Sequence, residues 1–178
     1  PSYTNLLDMN FPTMLASHAQ AVAGRYPWIT AFTPVNEPLT TARFSGLYGH
    51  WYPHRRDLRG FLRALITECW ATVLSMRAIR VITPHAKLVQ TEDLGKTFST
   101  PHLAYQAAYE NERRWLSFDL LCGRIQRDHP WYGVLLENGI GEGELELFLE
   151  NPCLPDIMGI NYYLTSDRYL DERVNHYP

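Results

Sequence analysis

The longest periodic run of apolar residues lies over 57–82, "DLRGFLRALITECWATVLSMRAIRVI". Leu62, Leu65, Ile66, Cys69, Val73 and Met76 recur three or four positions apart, which lays one apolar stripe along a helix. Asp57 stands just ahead of the run, where its carboxylate can take an orphan backbone N–H, so it is read as the N-cap. A second helix is expected over 11–24, "FPTMLASHAQAVAG". There Pro12 suits the first turn, Leu15, Ala19 and Val22 share a face, and Gly24 supplies a stop. Residues 102–127 read as helical, and 142–150 as a short helix. "WYGVLLENGIGEGELELF" reads as one helix ended by Gly139 and followed by that second one.

Three shorter apolar runs, 28–33, 87–91 and 157–163, have the length and bounding residues of strands. The first is expected to be buried and to stop at Pro34. Residues 39–56 carry Gly46, Gly49, Pro53 and many aromatics, and 97–101 are rich in Ser, Thr and Pro; both stretches read as loops. No internal repeat stands out. Strands alternating with helices imply βα units and a parallel sheet. The long crossovers fit a decorated (β/α)8 barrel better than a compact doubly wound sheet. Such a barrel takes about 250 residues, and this chain has 178. The expectation is an α/β fold, a partial TIM barrel, with 1–178 forming the central part of a single barrel domain. The opening Pro agrees with a fragment or a processed piece.

Composition changes this picture little. The chain is 46% hydrophobic and 20% charged, with net charge −3, so nothing favours nucleic acid electrostatically. No apolar run approaches the roughly 18 residues of a membrane span, and no secretory leader pattern opens the chain. Cys69, Cys122 and Cys153 are odd in number and far apart, without a C-x-x-C. That disfavours zinc or a disulfide framework and suits reduced thiols in a cytoplasmic protein. Aromatic residues make up 13%; they fill cores and also line carbohydrate sites.

The candidate chemistry centres on "AFTPVNEPLTT", residues 31–41. Glu37 falls just past a strand's C-terminal end, the edge that holds the active site in βα barrels. A carboxylic acid there can protonate a leaving-group oxygen, and Asn36 can donate to a sugar hydroxyl. Asn-Glu-Pro can equally just open a helix. Asn161 and Tyr163, two apart on the third strand, are expected on one face, either orienting a carboxylate or sugar or forming a polar strand end. Glu92 and Asp93 end the second strand, where a salt bridge or a helix cap is the simpler role. His50 and His54 stand four apart, but Pro53 argues against a helical metal pair. No metal site, phosphate loop or Ser-His-Asp arrangement is evident, and no cofactor is implied.

"TPVNEP" after a strand, and "DIMGINYYLTS" 124 residues on (Glu37 to Asn161), together resemble family 1 glycoside hydrolases, the β-glucosidase-like enzymes. "GLYGHWYP" between them resembles a family loop. The resemblance runs from about residue 11 to 169 and implies strands four to six of the barrel. It implies a retaining O-glycosyl hydrolase with Glu37 as general acid/base, Asn36 on the sugar 2-hydroxyl, and Asn161 and Tyr163 beside the nucleophile. It also implies a carbohydrate substrate and the remainder of the same barrel as partner.

"NEPLTTARFSGLYGHWYPH", "LVQTEDLGKT" and "ENERRWLSFDLLCGR" look closest to bacterial proteins in which such a barrel is joined to a dTDP-4-dehydrorhamnose reductase-like domain. That implies an alternative role, as a non-catalytic sugar or nucleotide-sugar binding module. The chain itself lacks a dinucleotide fingerprint, since "GIGEGE" has Glu144 where the third Gly belongs. The family nucleophile lies in a Thr-Glu-Asn-Gly motif after the Asn-Tyr-Tyr strand. "LLENG" carries Glu137 before that strand, in a helix, and is expected to be a decoy. The nucleophile is expected beyond Pro178.

Overall fold

The computed structural model of the chain describes residues 4–176. Helix α1 spans Phe11–Arg25, with Pro12 in the first turn, and strand β1 is Ala31–Phe32. Helix α2, Pro38–Ala42, runs into a π-helical turn, Arg43–Leu47, and α3 spans Leu58–Ile82. Strand β2 is Lys87–Glu92 and β3 is Thr97–Ser99. Four helices follow: α4 Ala104–Arg113, α5 Leu116–Leu121, α6 Tyr132–Glu137 and α7 Glu142–Glu150. Strand β4 is Ile157–Ile160 and β5 is Arg168–Leu170.

Helix α3 anchors the core. Asp57 caps it by accepting the Gly60 N–H at 2.6 Å. Its stripe of Phe61, Leu62, Leu65, Cys69, Val73, Met76 and Ile79 is wholly buried, in one cluster with Leu39, Leu88, Leu120, Leu135 and Phe148. Helix α1 packs along it and α5 beside it.

The main sheet has the order β1-β2-β4, all parallel. Register pairs Phe32 with Leu88, Val89 with Ile157 and Glu92 with Ile160. Alternation along β2 separates two faces. Leu88, Gln90 and Glu92 are buried toward the helices, while Lys87, Val89 and Thr91 face the open side.

Several stretches differ from the sequence reading. The first strand is shorter and less covered than expected: only Ala31 and Phe32 pair, and Trp28 is 71% exposed. Residues 38–47 are helical rather than loop, because Pro38, Leu39, Thr40 and Ala42 bury one short face against α3. The expected helix over 102–127 is two helices. Helix α4 packs on β3 while α5 packs on α3, and one straight rod cannot serve both. The Ser/Thr-rich loop contains β3, which pairs in parallel with β5 in a small side sheet. The third strand ends at Ile160, before Asn161 and Tyr163.

Candidate active site

Beyond Phe32 the chain leaves the backbone ladder, and the side chains of β2 hold it instead. Thr33 Oγ1 donates to the Val89 carbonyl at 2.8 Å, and Gln90 Nε2 donates to the Val35 carbonyl at 3.3 Å. Thr91 Oγ1 lies 2.9 Å from Asn36 Oδ1, to which it donates, and accepts the Glu37 N–H at 3.4 Å. Glu92 Oε1 accepts the Leu39 N–H at 2.8 Å. Three consecutive strand residues thus hold three consecutive parts of the segment 35–39.

This lacing holds an unusual backbone. Glu37 has φ 46° and ψ 61°, the left-handed region that a side-chain-bearing residue occupies at a cost. The turn directs Pro38 into α2 and leaves Glu37 only 8% exposed. Glu37 Oε1 accepts from Asn161 Nδ2 at 2.7 Å, and the same amide lies 3.4 Å from Asn36 Oδ1. The Asn161 backbone N–H in turn donates to the Glu92 carbonyl at 3.0 Å, which fixes where β4 delivers its side chain. Gly159, two residues earlier, must be small, because a Cβ there would lie 2.5 Å from Thr91 Cγ2.

The structure therefore brings together Asn36, Glu37 and Asn161, residues 124 and 125 positions apart. Tyr163 stands apart from this group: its backbone N–H donates to Ser166 Oγ at 2.7 Å and its side chain is 55% exposed. Thr91 is the contributor that sequence reading missed. Its signal was parity, since it shares the open face with Val89 while Leu88, Gln90 and Glu92 point into the core.

Behind the site lies a layer of buried polar groups. Burial pushes the Glu92 carboxyl up to about 8, against the Leu39 N–H and the Arg43 guanidinium, which favour the ionised form. Glu68 on α3 is completely buried, and both of its oxygens lack a hydrogen-bond donor among the described residues. Desolvation, then the neighbouring Glu92, hold its carboxyl well above the usual range.

Of the other candidates, Asp93 Oδ1 accepts the Gly95 N–H at 3.1 Å in a local turn. Glu137 ends α6, and Gly139 at φ 86° closes that helix, so "LLENG" is a helix terminus. Glu144 accepts the Gly141 N–H at 2.9 Å at the start of α7, which gives "GIGEGE" a capping role. His50 packs edge-on against Phe44. Among the described residues no group of three or more His, Cys, Asp or Glu is placed to hold a metal ion, and no helix is long and apolar enough to cross a membrane.

The fold has clear counterparts among solved structures. A family 1 β-glucosidase from Thermotoga maritima matches with a TM-score of 0.76 at 18% identity, over 93% of this chain and 38% of its own. A β-glucosidase from the same organism in complex with azafagomine matches with 0.79 at 16%, over 93% and 37%. The virulence factor SghA from Agrobacterium tumefaciens matches with 0.77 at 16%, over 94% and 37%. The chain spans less than two fifths of the length of these structures. No protein-family model and no curated protein matches it. The fold is that of part of a TIM barrel.

Proposed function

We propose that this chain supplies the acid/base half of a retaining glycosidase's catalytic pair, within a barrel that further βα units complete. The observation that carries the reading is the Asn161–Glu37 contact at the C-terminal edge of the sheet. Asn161 Nδ2 occupies Oε1, so a proton carried by Glu37 sits on Oε2. From there it reaches the glycosidic oxygen as the bond to the anomeric carbon breaks, and the same oxygen later takes a proton from attacking water. Asn36 turns its Oδ1 toward Thr91 and Asn161, which leaves Nδ2 to donate to a sugar hydroxyl. Tyr163 would line the same mouth. A retaining reaction also needs a second carboxylate about 5–5.5 Å from the first, and we assign that nucleophile to the completing part of the barrel, after the strand that leads into Asn161.

The test compares leaving groups. The 178-residue chain alone is expected to give no steady turnover of an aryl β-glucoside. In the completed barrel, Glu37→Gln should lower kcat/KM for glycosides with poor leaving groups by about 100- to 10,000-fold. It should spare kcat/KM for dinitrophenyl glycosides, whose leaving group departs without a proton, while kcat for the latter falls because the base for the attacking water is gone. Equal loss of kcat/KM on both substrates, or no loss, sinks the acid/base assignment. No hydrolysis by the completed barrel, with sugar binding retained, replaces it with the role of a binding module for a reductase-type partner.

A further inference from the structure

We propose that Glu92 is a positioning residue for Glu37, holding the left-handed turn at Glu37–Pro38 from the core side through the Leu39 N–H. The inference gains its catalytic meaning from the acid/base reading above, but its test reads geometry alone.

The argument starts from an accounting of backbone donors. The first turn of a helix leaves its N–H groups without intrahelical partners. In α2, Pro38 has no N–H to satisfy, and the N-cap residue, Glu37, offers no side-chain cap because its carboxylate points to Asn161. The next N–H, that of Leu39, lies in a fully buried environment and would be costly to leave unpaired. Glu92 Oε1 takes it at 2.8 Å. The cap therefore comes from another strand, and this frees the N-cap carboxylate to face the open side.

Glu92 and Thr91 act on opposite faces of the same strand. Thr91 holds Asn36 and the Glu37 N–H from the open side, and Glu92 holds Leu39 from the core side. Glu37 lies between these two anchors with its backbone in a region it would not choose unaided.

Glu92 also shares its surroundings with titratable groups from each neighbouring segment. Glu37 precedes α2, Arg43 is in the π-turn, and Glu68 and Cys69 are on α3. Ser117 on α5 adds an uncharged hydroxyl. Fully buried among them, Glu92 is held as the neutral acid at neutral pH, which adds no negative charge beneath Glu37. When it ionises it becomes a stronger acceptor for Leu39 and a like charge behind Glu37.

The experiment follows the Leu39 backbone amide and the Asn161 side-chain amide by NMR from pH 5.5 to 9.5 in the 178-residue chain. Both resonances are expected to move with one shared inflection near pH 8, which persists in Glu68→Gln and vanishes in Glu92→Gln. Glu92→Gln, which keeps a carbonyl acceptor, should leave the Asn161 amide shifted as in the unaltered chain at pH 6. Glu92→Leu should move that amide to the position of a solvent-exposed amide. A purely structural role would lower the melting temperature and leave both resonances in place. The proposal is overturned by no shared inflection in the unaltered chain, by its survival in Glu92→Gln, or by a folded Glu92→Leu with the Asn161 amide unmoved. If Glu92→Leu does not fold, the titration of the unaltered chain and of Glu92→Gln still decides. Failure of the glycosidase reading would leave these resonances as expected, so the two failures are distinguishable.

Discussion

Helix α3 and strand β4 are both apolar in sequence, yet they end in opposite environments. Leu62, Leu65, Cys69 and Met76 of α3 have no exposed surface, whereas Ile157, Met158 and Ile160 of β4 are 45%, 52% and 63% exposed. The helix needs one covered face, and α1, α2 and α5 supply it from within the chain. A parallel strand is apolar throughout because a complete βα architecture covers both of its faces and both of its edges. Among the described residues β4 pairs on one edge only, with β2. The contrast separates apolar residues that hold this chain together from apolar residues that suit contacts with further elements of a barrel.

The contrast yields a ranked set of tests on the chain itself. Phe61→Ala, in the middle of the buried layer, should cost about 3–5 kcal/mol by transfer loss and cavity formation, read from urea unfolding. A cost below about 1 kcal/mol would show that the helix layer is not the stabilising core.

The polar layer behind the site should show in the pH dependence of stability. The Glu92 carboxyl in the folded chain titrates at about 8, above its ordinary 4.5. Between these values the folded chain keeps a proton that the unfolded chain has lost. The Glu92 contribution to stability is therefore greatest below the lower value, falls as pH rises by up to about 1.4 kcal/mol per pH unit, and levels off above about pH 8. Glu68 pushes in the same direction. Urea titrations at pH 6 and 8 should show the fall, and Glu92→Gln should reduce it; an unchanged slope in Glu92→Gln would place the effect elsewhere.

The smallest effect is expected on the open strand. Ile160→Ser should change stability by no more than about 0.5 kcal/mol, and a cost comparable to Phe61→Ala would erase the contrast between the two regions.

Much of the site was legible in the chain. Pro34 stops the strand and Pro38 opens the next turn, and the parallel order follows from alternating elements, so Glu37 could be placed at the C-terminal edge. The partnership with Asn161 was harder to read, because the third strand stops one residue before Asn161 and period-two alternation no longer governs Asn161 and Tyr163. The helical character of 38–47 was hidden by its glycine and aromatics, which signal a loop wherever no packing partner is known.

The amino-acid sequence alone determined what local physics controls. It set the stripe and cap of α3, the helix stop at Gly139 that makes "LLENG" a terminus, and the strand-helix order that implies a parallel sheet. Tertiary structure decided what depends on residues far apart in the chain. It broke 102–127 into two helices because β3 and α3 lie in different directions. It brought Thr91, Glu92 and Asn161 around Glu37, because a side chain in a left-handed turn is held only by neighbours that the fold carries to it.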